Sequence, residues 1–129
     1  MLNKEDIRNL LAHRFCNDIH KKISEIPTPS ALKDIYKGAN RIKEAIEKNE
    51  RIAIVGDYDV DGVVSSVILA EFFDDLDVKD YLVKIPNRFK DGYGLNPEII
   101  DELSADVSLI ITVDNGISAN DAAIICKEK

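Results

Sequence analysis

RIAIVGDYDVDGVVSSVILAEFF, residues 51–73, joins two secondary-structure patterns through a run of aspartates. It starts with a short apolar run, places aspartate at the alternate positions 57, 59 and 61, and then repeats apolar residues at helical spacing. This order predicts a strand, an acidic turn and a helix. Three carboxylates this close in sequence repel one another unless a cation lies between them, so a bound metal is the first hypothesis.

The chain on both sides of this stretch predicts an α/β fold. Strands and helices alternate, with strands predicted at 51–56, 80–85 and 107–113 and helices at about 62–75, 97–103 and 118–128. Such alternation indicates βαβ units and a mainly parallel sheet with flanking helices. The third strand is apolar enough to be buried on both faces. The acidic turn therefore lies at the carboxyl end of a strand, where ligands collect in open α/β sheets.

A helical arm is predicted before the sheet. Apolar spacing indicates one helix from residue 4 to about 25 and a second that ends near 48. Between them the sequence PTPS breaks the helix, and Thr28 or Ser30 is a candidate cap for the second one. The predicted division is a helical arm at 1–49 and an incomplete α/β domain at 50–129.

Composition indicates a cytoplasmic globular protein. The 129 residues are 45% hydrophobic and 32% charged, with no apolar run long enough to span a membrane and a charged N-terminus unlike a secretory signal. Cys16 and Cys126 lie in apolar helical patterns without metal-site spacing, so both are expected as buried thiols. His13 and His20 are expected as surface or partly buried residues.

Charge is divided unevenly along the chain. Residues 1–50 carry ten basic and eight acidic side chains, whereas residues 51–129 carry seven basic and sixteen acidic ones. An acidic second part argues against nonspecific nucleic-acid binding by this segment alone. It is suited to a site that collects divalent cations and holds a phosphate substrate through them.

The third predicted strand also ends in an acidic turn, at Asp114. If the first and third strands are neighbours, four carboxylates converge on one crevice, those of Asp57, Asp59, Asp61 and Asp114. A calcium loop of EF-hand type is the nearest alternative, but its bidentate glutamate position holds Ile68 and the preceding segment is a strand. Aspartate oxygens suit Mg²⁺ or Mn²⁺, and two such ions would serve phosphodiester chemistry.

A second stretch, PNRFKDGYGLN at 86–96, offers cations close to this acidic half. Arg88 and Lys90 are candidate phosphate contacts, although a turn with solvated charges explains them equally well. Asn96 before a proline is a predicted helix cap. Ser65 and Ser66, in the first turn of the predicted helix, are candidate donors to phosphate or ordinary helix-start serines.

The motifs GDYDVDGVVSS, PNRFKDGYGLN and ITVDNGIS, in this order, resemble the DHH phosphoesterases, and within them the branch of RecJ-type single-strand-specific exonucleases. The resemblance covers about residues 30–129. It implies a 5′-to-3′ exonuclease that hydrolyses single-stranded DNA with Mn²⁺ or Mg²⁺ in DNA repair and recombination. By motif, it implies that Asp59, Asp61 and Asp114 are catalytic metal ligands. Asp57 would be a further ligand or would orient the others. Some relatives have a histidine ligand where this chain has Val55.

The chain departs from the family pattern at its end. The Asp-His-His motif expected after Asp114 is not present before Lys129. The sequence is therefore expected to be an N-terminal portion of a longer enzyme, with little hydrolysis by itself, whereas the complete enzyme would hold two metal ions.

Two alternatives remain open from the sequence. One is a DHH-type enzyme that cleaves short oligoribonucleotides or cyclic dinucleotides. The other is a noncatalytic module that keeps the fold, in which case substitution of the aspartates would change no metal binding.

Overall fold

A computed structural model describes residues 3–14, 22–103 and 105–128 of the chain. The chain forms two compact units, Met1–Tyr36 and Lys37–Lys129. The division predicted from sequence, at residues 49 and 50, stays a prediction.

The first unit contains one α-helix, α1 (Lys4–Arg14), and two short 3₁₀ turns, Ile23–Glu25 and Pro29–Ala31. Asn3 begins α1, because its side-chain Oδ1 accepts hydrogen bonds from the amides of Glu5 and Asp6, both at 2.9 Å. No described residue of α1 is buried.

Part of the predicted first helix lies outside the described residues, at positions 15–21, which include Cys16 and His20. The prediction was wrong for its end, where Ile23–Glu25 is a 3₁₀ turn. The prediction that Thr28 or Ser30 caps the second α-helix was wrong, because that helix begins only at Ile35. Thr28 makes no cap hydrogen bond to the 3₁₀ turn either, and its hydroxyl pairs with that of Ser30 at 2.7 Å. His13 is exposed, as predicted.

The remaining elements alternate between helices and strands, in the order α2 (Ile35–Glu47), β1 (Arg51–Val55), α3 (Val60–Asp75), β2 (Tyr81–Lys84), α4 (Pro97–Glu102), β3 (Val107–Thr112) and α5 (Asn120–Glu128). The three strands form a parallel sheet in the order β2-β1-β3. The predicted α/β class and mainly parallel sheet are confirmed. The predicted N-cap of α4 is confirmed as well, because Asn96 Oδ1 accepts from the amide of Ile99 at 2.9 Å.

Strand β1 lies at the centre of the sheet and of the core. Ile52, Ile54 and Phe73 of α3 are fully buried and pack together with Ala45 of α2. The ring of Phe73 meets that of Tyr81 edge to face, with centroids 5.5 Å apart. A central strand packed in this way holds its carboxyl end in a fixed position.

Two predictions of burial were wrong. Strand β3 is only partly buried, because it pairs with β1 on one side and lies at the edge of the described sheet. Cys126 is exposed near the end of α5, so an apolar helical pattern did not imply that its thiol is covered.

Candidate metal centre

The carboxyl ends of β1 and β3 bring three carboxylates together. The two strands are parallel neighbours, with Val55 paired to Thr112 at their ends. Asp57 and Asp59 follow β1, and Asp114 follows β3. Each of these three residues offers an oxygen within 4.8 Å of the other two. These three carboxylates would hold one Mg²⁺ or Mn²⁺, because carboxylate oxygens are the ligands that such hard cations prefer.

Asp57 gives the strongest indication that a cation belongs here. Its side chain is 1% exposed, and neither carboxylate oxygen has a hydrogen-bond partner among the residues that the structure describes. A buried carboxylate without a donor or a counter-ion is strongly unfavourable. A metal ion would supply the missing positive charge, so the donor set fits a hard divalent cation.

The backbone around Asp57 explains why glycine flanks the motif. A Cβ on Gly62 would lie 2.5 Å from the backbone nitrogen and oxygen of Asp57. A side chain at Gly56 would meet the hydroxyl of Ser66 and the backbone oxygen of Gly62. The first turn of α3 therefore rests directly on the backbone that carries Asp57, which only glycine allows.

Asp59 is the N-cap of α3. Its Oδ1 accepts a hydrogen bond from the amide of Gly62 at 3.0 Å, and the helix begins at Val60, two residues earlier than predicted, because this carboxylate satisfies its first turn. The cap fixes the Asp59 side chain next to the carboxylates of Asp57 and Asp114.

Asp114 has a left-handed backbone, with φ of 58°, a conformation that aspartate tolerates better than most residues. Desolvation raises the pKa of its carboxyl, and the negative charges of Asp59 and Asp61 raise it further. Crowded carboxylates without a counter-ion behave in this way, and a bound cation would reverse the effect.

The three-carboxylate group does not include Asp61. This residue lies in the exposed first turn of α3, close enough for its charge to raise the pKa of Asp114. Its role as a metal ligand stays a prediction, and the structure brings Asp57 rather than Asp61 together with the other two.

Asn115 was not singled out from sequence, yet it connects the parts of the centre. Its Nδ2 donates to the backbone oxygens of Val55 and Val113, both at 2.9 Å, and its Oδ1 accepts from the amide of Leu95 at 3.1 Å. The sequence signal that could have identified Asn115 is its position directly after a strand-end aspartate. An amide side chain can both donate and accept hydrogen bonds to the backbone of such a turn.

Of the two predicted phosphate-binding cations, Arg88 and Lys90, the structure leaves one available. The Arg88 guanidinium lies over the ring of Tyr58, 5.4 Å from its centroid, and forms no ion pair with any described residue. Lys90 donates from Nζ to Glu102 at 2.8 Å, and Lys84 donates to the same carboxylate at 2.5 Å. Asp91 also lies 3.8 Å from Lys90 Nζ and 4.0 Å from Lys84 Nζ, so two carboxylates balance the two lysine charges within the protein.

The predicted serine donors are both engaged with the backbone of α3. Ser65 donates from Oγ to the backbone oxygen of Asp61 at 2.6 Å. Ser66 is 2% exposed and donates to the oxygen of Gly62 at 2.7 Å. Their contact with a phosphate stays a prediction, and for Ser66 it would require movement of a buried side chain.

The sequence of this unit matches a family model. Residues 51–129, most of the chain, match the model described as the DHH family, N-terminal domain. The chain belongs to the DHH family. The family resemblance deduced from the motifs is thereby confirmed. The aspartates at the strand ends lie within the residues that the family model matches.

The curated relatives of this DHH chain include single-stranded-DNA-specific exonucleases RecJ. The RecJ of Bacillus subtilis is 40% identical over 112 residues, which are 85% of this chain and 14% of that protein. The RecJ of Escherichia coli is 33% identical over 108 residues, 83% of this chain and 19% of that protein. The chain therefore spans less than a fifth of the length of either relative.

A solved structure is similar to this DHH chain as well. It is a crystal structure of exonuclease RecJ bound to manganese, which aligns with a TM-score of 0.71 and 31% identity over 81% of this chain and 27% of that one. Among the described residues, no helix is both long and apolar enough to cross a membrane.

Proposed function

We propose that this chain supplies carboxylate ligands to a metal-dependent nuclease that hydrolyses phosphodiester bonds in single-stranded DNA. The main support is Asp57, whose buried carboxylate lacks a hydrogen-bond partner among the described residues and lies beside Asp59 and Asp114. The similarity to single-stranded-DNA-specific exonucleases RecJ supports the substrate class, and the 5′-to-3′ direction stays a prediction from the family resemblance.

Mn²⁺ or Mg²⁺ is the proposed cofactor. Asp57, Asp59 and Asp114 would hold it, with Asp61 as the predicted fourth carboxylate of a site for two ions. Carboxylate oxygens suit either metal, and the similar RecJ structure carries manganese. When bound, the metal supplies positive charge to the phosphodiester and a water of lowered pKa.

The protein's own groups set the geometry for this chemistry. The Gly62 amide orients Asp59, and the Asn115 hydrogen bonds fix the turn that carries Asp114. Carboxylates held in place before substrate arrives need little rearrangement during the reaction. Arg88 is proposed to contact a phosphate oxygen, since its planar guanidinium can donate two parallel hydrogen bonds.

The net negative charge of residues 51–129 opposes the binding of DNA. Residues 51–129 carry sixteen acidic and seven basic side chains, so a polyanion approaches them against a repulsive field. Binding of single-stranded DNA is therefore proposed to require the metal, which converts the most negative part of the surface into a site for phosphate.

Binding is the appropriate readout, because the chain spans less than a fifth of the length of these RecJ relatives. Calorimetric titration with Mn²⁺, followed by fluorescence anisotropy with a labelled single-stranded oligonucleotide, should show metal binding and metal-dependent DNA binding. Asp59→Asn and Asp114→Asn should lose both. Asp75→Asn, at the exposed end of α3, is the matched control and should keep both.

Three results would contradict the proposed function. A folded chain that does not bind Mn²⁺ would favour a noncatalytic module. A chain that binds Mn²⁺ but prefers a short oligoribonucleotide or a cyclic dinucleotide would move the substrate to those classes. If the chain bound DNA equally with Mn²⁺ and with a chelator, metal held by the carboxylates would take no part in substrate binding. The cytoplasmic location and the role in DNA repair and recombination stay predictions from the sequence.

A further inference from the structure

Aromatic side chains and one arginine gather beside the three carboxylates. The rings of Tyr58 and Tyr93 meet edge to face, with centroids 6.2 Å apart and an interplanar angle of 86°. The Arg88 guanidinium lies over the Tyr58 ring, 5.4 Å from its centroid. Phe89 follows Arg88 in the same loop, and its ring is exposed. We call these four residues, Tyr58, Arg88, Phe89 and Tyr93, the aromatic platform.

The platform borders the candidate metal centre directly. Tyr58 lies between two of the clustered aspartates in sequence, and the Tyr93 hydroxyl donates to the backbone oxygen of Asp114 at 3.2 Å. Desolvation raises the pKa of Tyr93, and the charges of Asp57, Asp114 and Asp59 add to the effect. A molecule held by the carboxylates therefore lies next to these rings.

Three of the four platform residues, Arg88, Phe89 and Tyr93, are exposed, and Tyr58 is half-buried. Phe89 is 97% exposed and Tyr93 is 61% exposed. Arg88 stacks on a ring and forms no ion pair within the described residues, whereas the neighbouring Lys84 and Lys90 are both paired with Glu102. Exposed aromatic rings grouped with an unpaired arginine are typical of a binding surface rather than of packing.

The loop that presents Arg88 and Phe89 is held rigid by its own side chains. Asn87 Oδ1 accepts from the amides of Phe89 and Lys90, at 2.9 and 3.3 Å, and the Asn87 amide donates to Asp91 Oδ2 at 2.7 Å. Asn96 Nδ2 donates to the backbone oxygen of Asp91 at 2.6 Å. A loop ordered in this way binds a ligand with little loss of conformational entropy.

We propose that the aromatic platform stacks a nucleobase of bound single-stranded nucleic acid, with Arg88 contacting an adjoining phosphate. This rests on the proposed function, and it adds the group that recognises the strand next to the reacting phosphodiester. Every base has a π-face, so such stacking tolerates any sequence. It requires an unstacked base, which a single strand offers and an intact duplex does not. The platform thus selects single strands by access to the base rather than by hydrogen bonding to its edge.

The test compares an ordinary single-stranded oligonucleotide with an abasic one of the same length, by anisotropy in the presence of Mn²⁺. The double variant Phe89→Ala/Tyr93→Ala should bind the ordinary strand about 5- to 160-fold more weakly, the effect of losing one stacked base. On the abasic strand the variant and the parent chain should bind equally, because the base that stacks is missing from both complexes.

Matched variants separate stacking from folding and from metal binding. Phe89→Tyr/Tyr93→Phe keeps both rings and should keep the affinity, and its Mn²⁺ titration reports any effect of the lost Tyr93 hydroxyl. Tyr36→Ala removes a tyrosine of similar exposure, 70%, that takes no part in the platform, and should leave DNA binding unchanged.

The platform and the proposed function fail in different ways. If the alanine variant loses equal affinity for the ordinary and abasic strands, or loses none, the platform is wrong while metal-dependent DNA binding stands. If the parent chain binds no single-stranded DNA with Mn²⁺, the proposed function fails and the platform with it.

Discussion

The side-chain amide of Asn115 donates to the backbone oxygen of Val55 at 2.9 Å, across 60 positions of sequence. The same nitrogen donates to Val113, and the Asn115 Oδ1 accepts from Leu95. One side chain thus joins the end of β1, the end of β3 and the loop before α4. Asp114, the adjacent residue, is held in position by this arrangement.

Replacement of Asn115 should therefore weaken both the fold and the metal site. Asn115→Ala leaves two carbonyl oxygens and one amide without their partner, at a cost of about 1–3 kcal/mol in the free energy of unfolding. Mn²⁺ affinity should fall about 10- to 100-fold, the usual effect of losing a residue that orients a ligand. Denaturant titration and calorimetry measure the two effects. Asn40→Ala, on an exposed part of α2, should change neither; an Mn²⁺ affinity unaltered in Asn115→Ala would show that Asp114 needs no such support.

Asp57→Asn should separate stability from metal binding. The substitution removes a buried charge that has no described partner, so the metal-free protein should gain about 1–3 kcal/mol in the free energy of unfolding. The parent chain should be stabilised by Mn²⁺, by about 2.7 kcal/mol at 100 times the dissociation constant, and the variant should not. Thermal unfolding with and without Mn²⁺ measures both. A metal-free variant less stable than the parent would mean that this carboxylate is already compensated.

Gly62→Ala and Gly38→Ala form a matched pair of helix substitutions with opposite expected signs. The new Cβ at position 62 would lie 2.5 Å from the Asp57 backbone, so the variant should lose about 1–3 kcal/mol and shift the carboxylate. At position 38, in α2, nothing lies within 4 Å, and alanine should add about 0.5–1 kcal/mol. Denaturant titration of both variants is the measurement. Equal effects would show that the first turn of α3 is not in close contact with Asp57.

Glu102 predicts a pH dependence of stability. Hydrogen bonds from Lys84 and Lys90 lower its pKa from 4.5 to about 2. Because the pKa is lower in the folded state, the contribution is complete above about pH 4.5 and is lost as the pH falls towards 2. Glu102→Gln should therefore be less stable than the parent at pH 6, and the difference should shrink by pH 3. Glu71→Gln, whose carboxylate forms no ion pair with a described residue, is the control; a difference constant from pH 6 to 3 would contradict the role of this cluster.

Arg88 and Lys90 should differ in their contribution to DNA binding. Arg88 is unpaired within the described residues, so Arg88→Ala should weaken metal-dependent binding and reduce the slope of log affinity against log salt by about 0.7. Lys90→Ala should have the smaller effect on that slope, since the ammonium group is held by Glu102. Affinity measured at several salt concentrations distinguishes them. Equal slopes for the two variants would show that both cations reach phosphate.

Much of the framework could be predicted from sequence because its signals are local. The alternation of apolar runs indicated parallel strands, and the aspartates after β1 and β3 were expected to converge if those strands were neighbours. The structure shows that they are. Asn96 before a proline was a sufficient signal for a cap.

What could not be predicted depends on contacts between distant residues. Asp57 and Asp61 occupy equivalent positions in the alternating sequence pattern. The structure shows that Asp57 is the buried one, with Gly62 packed against its backbone. The pairing of Lys90 with Glu102 depends on how the loop returns to α4. The exposure of Cys126 likewise depends on what packs against α5, which its own helical pattern does not reveal.

The parallel pairing of β1 with β3 has a kinetic consequence. Strands separated by some 60 residues and two helices pair slowly. The conformational entropy of the connecting chain is lost when the loop closes, before the strand pairing gives any stabilisation. Until they pair, Asp57 and Asp114 cannot share an ion. Manganese added during refolding would then act mainly on chains that have already crossed the barrier, and would retard their unfolding more than it speeds their assembly.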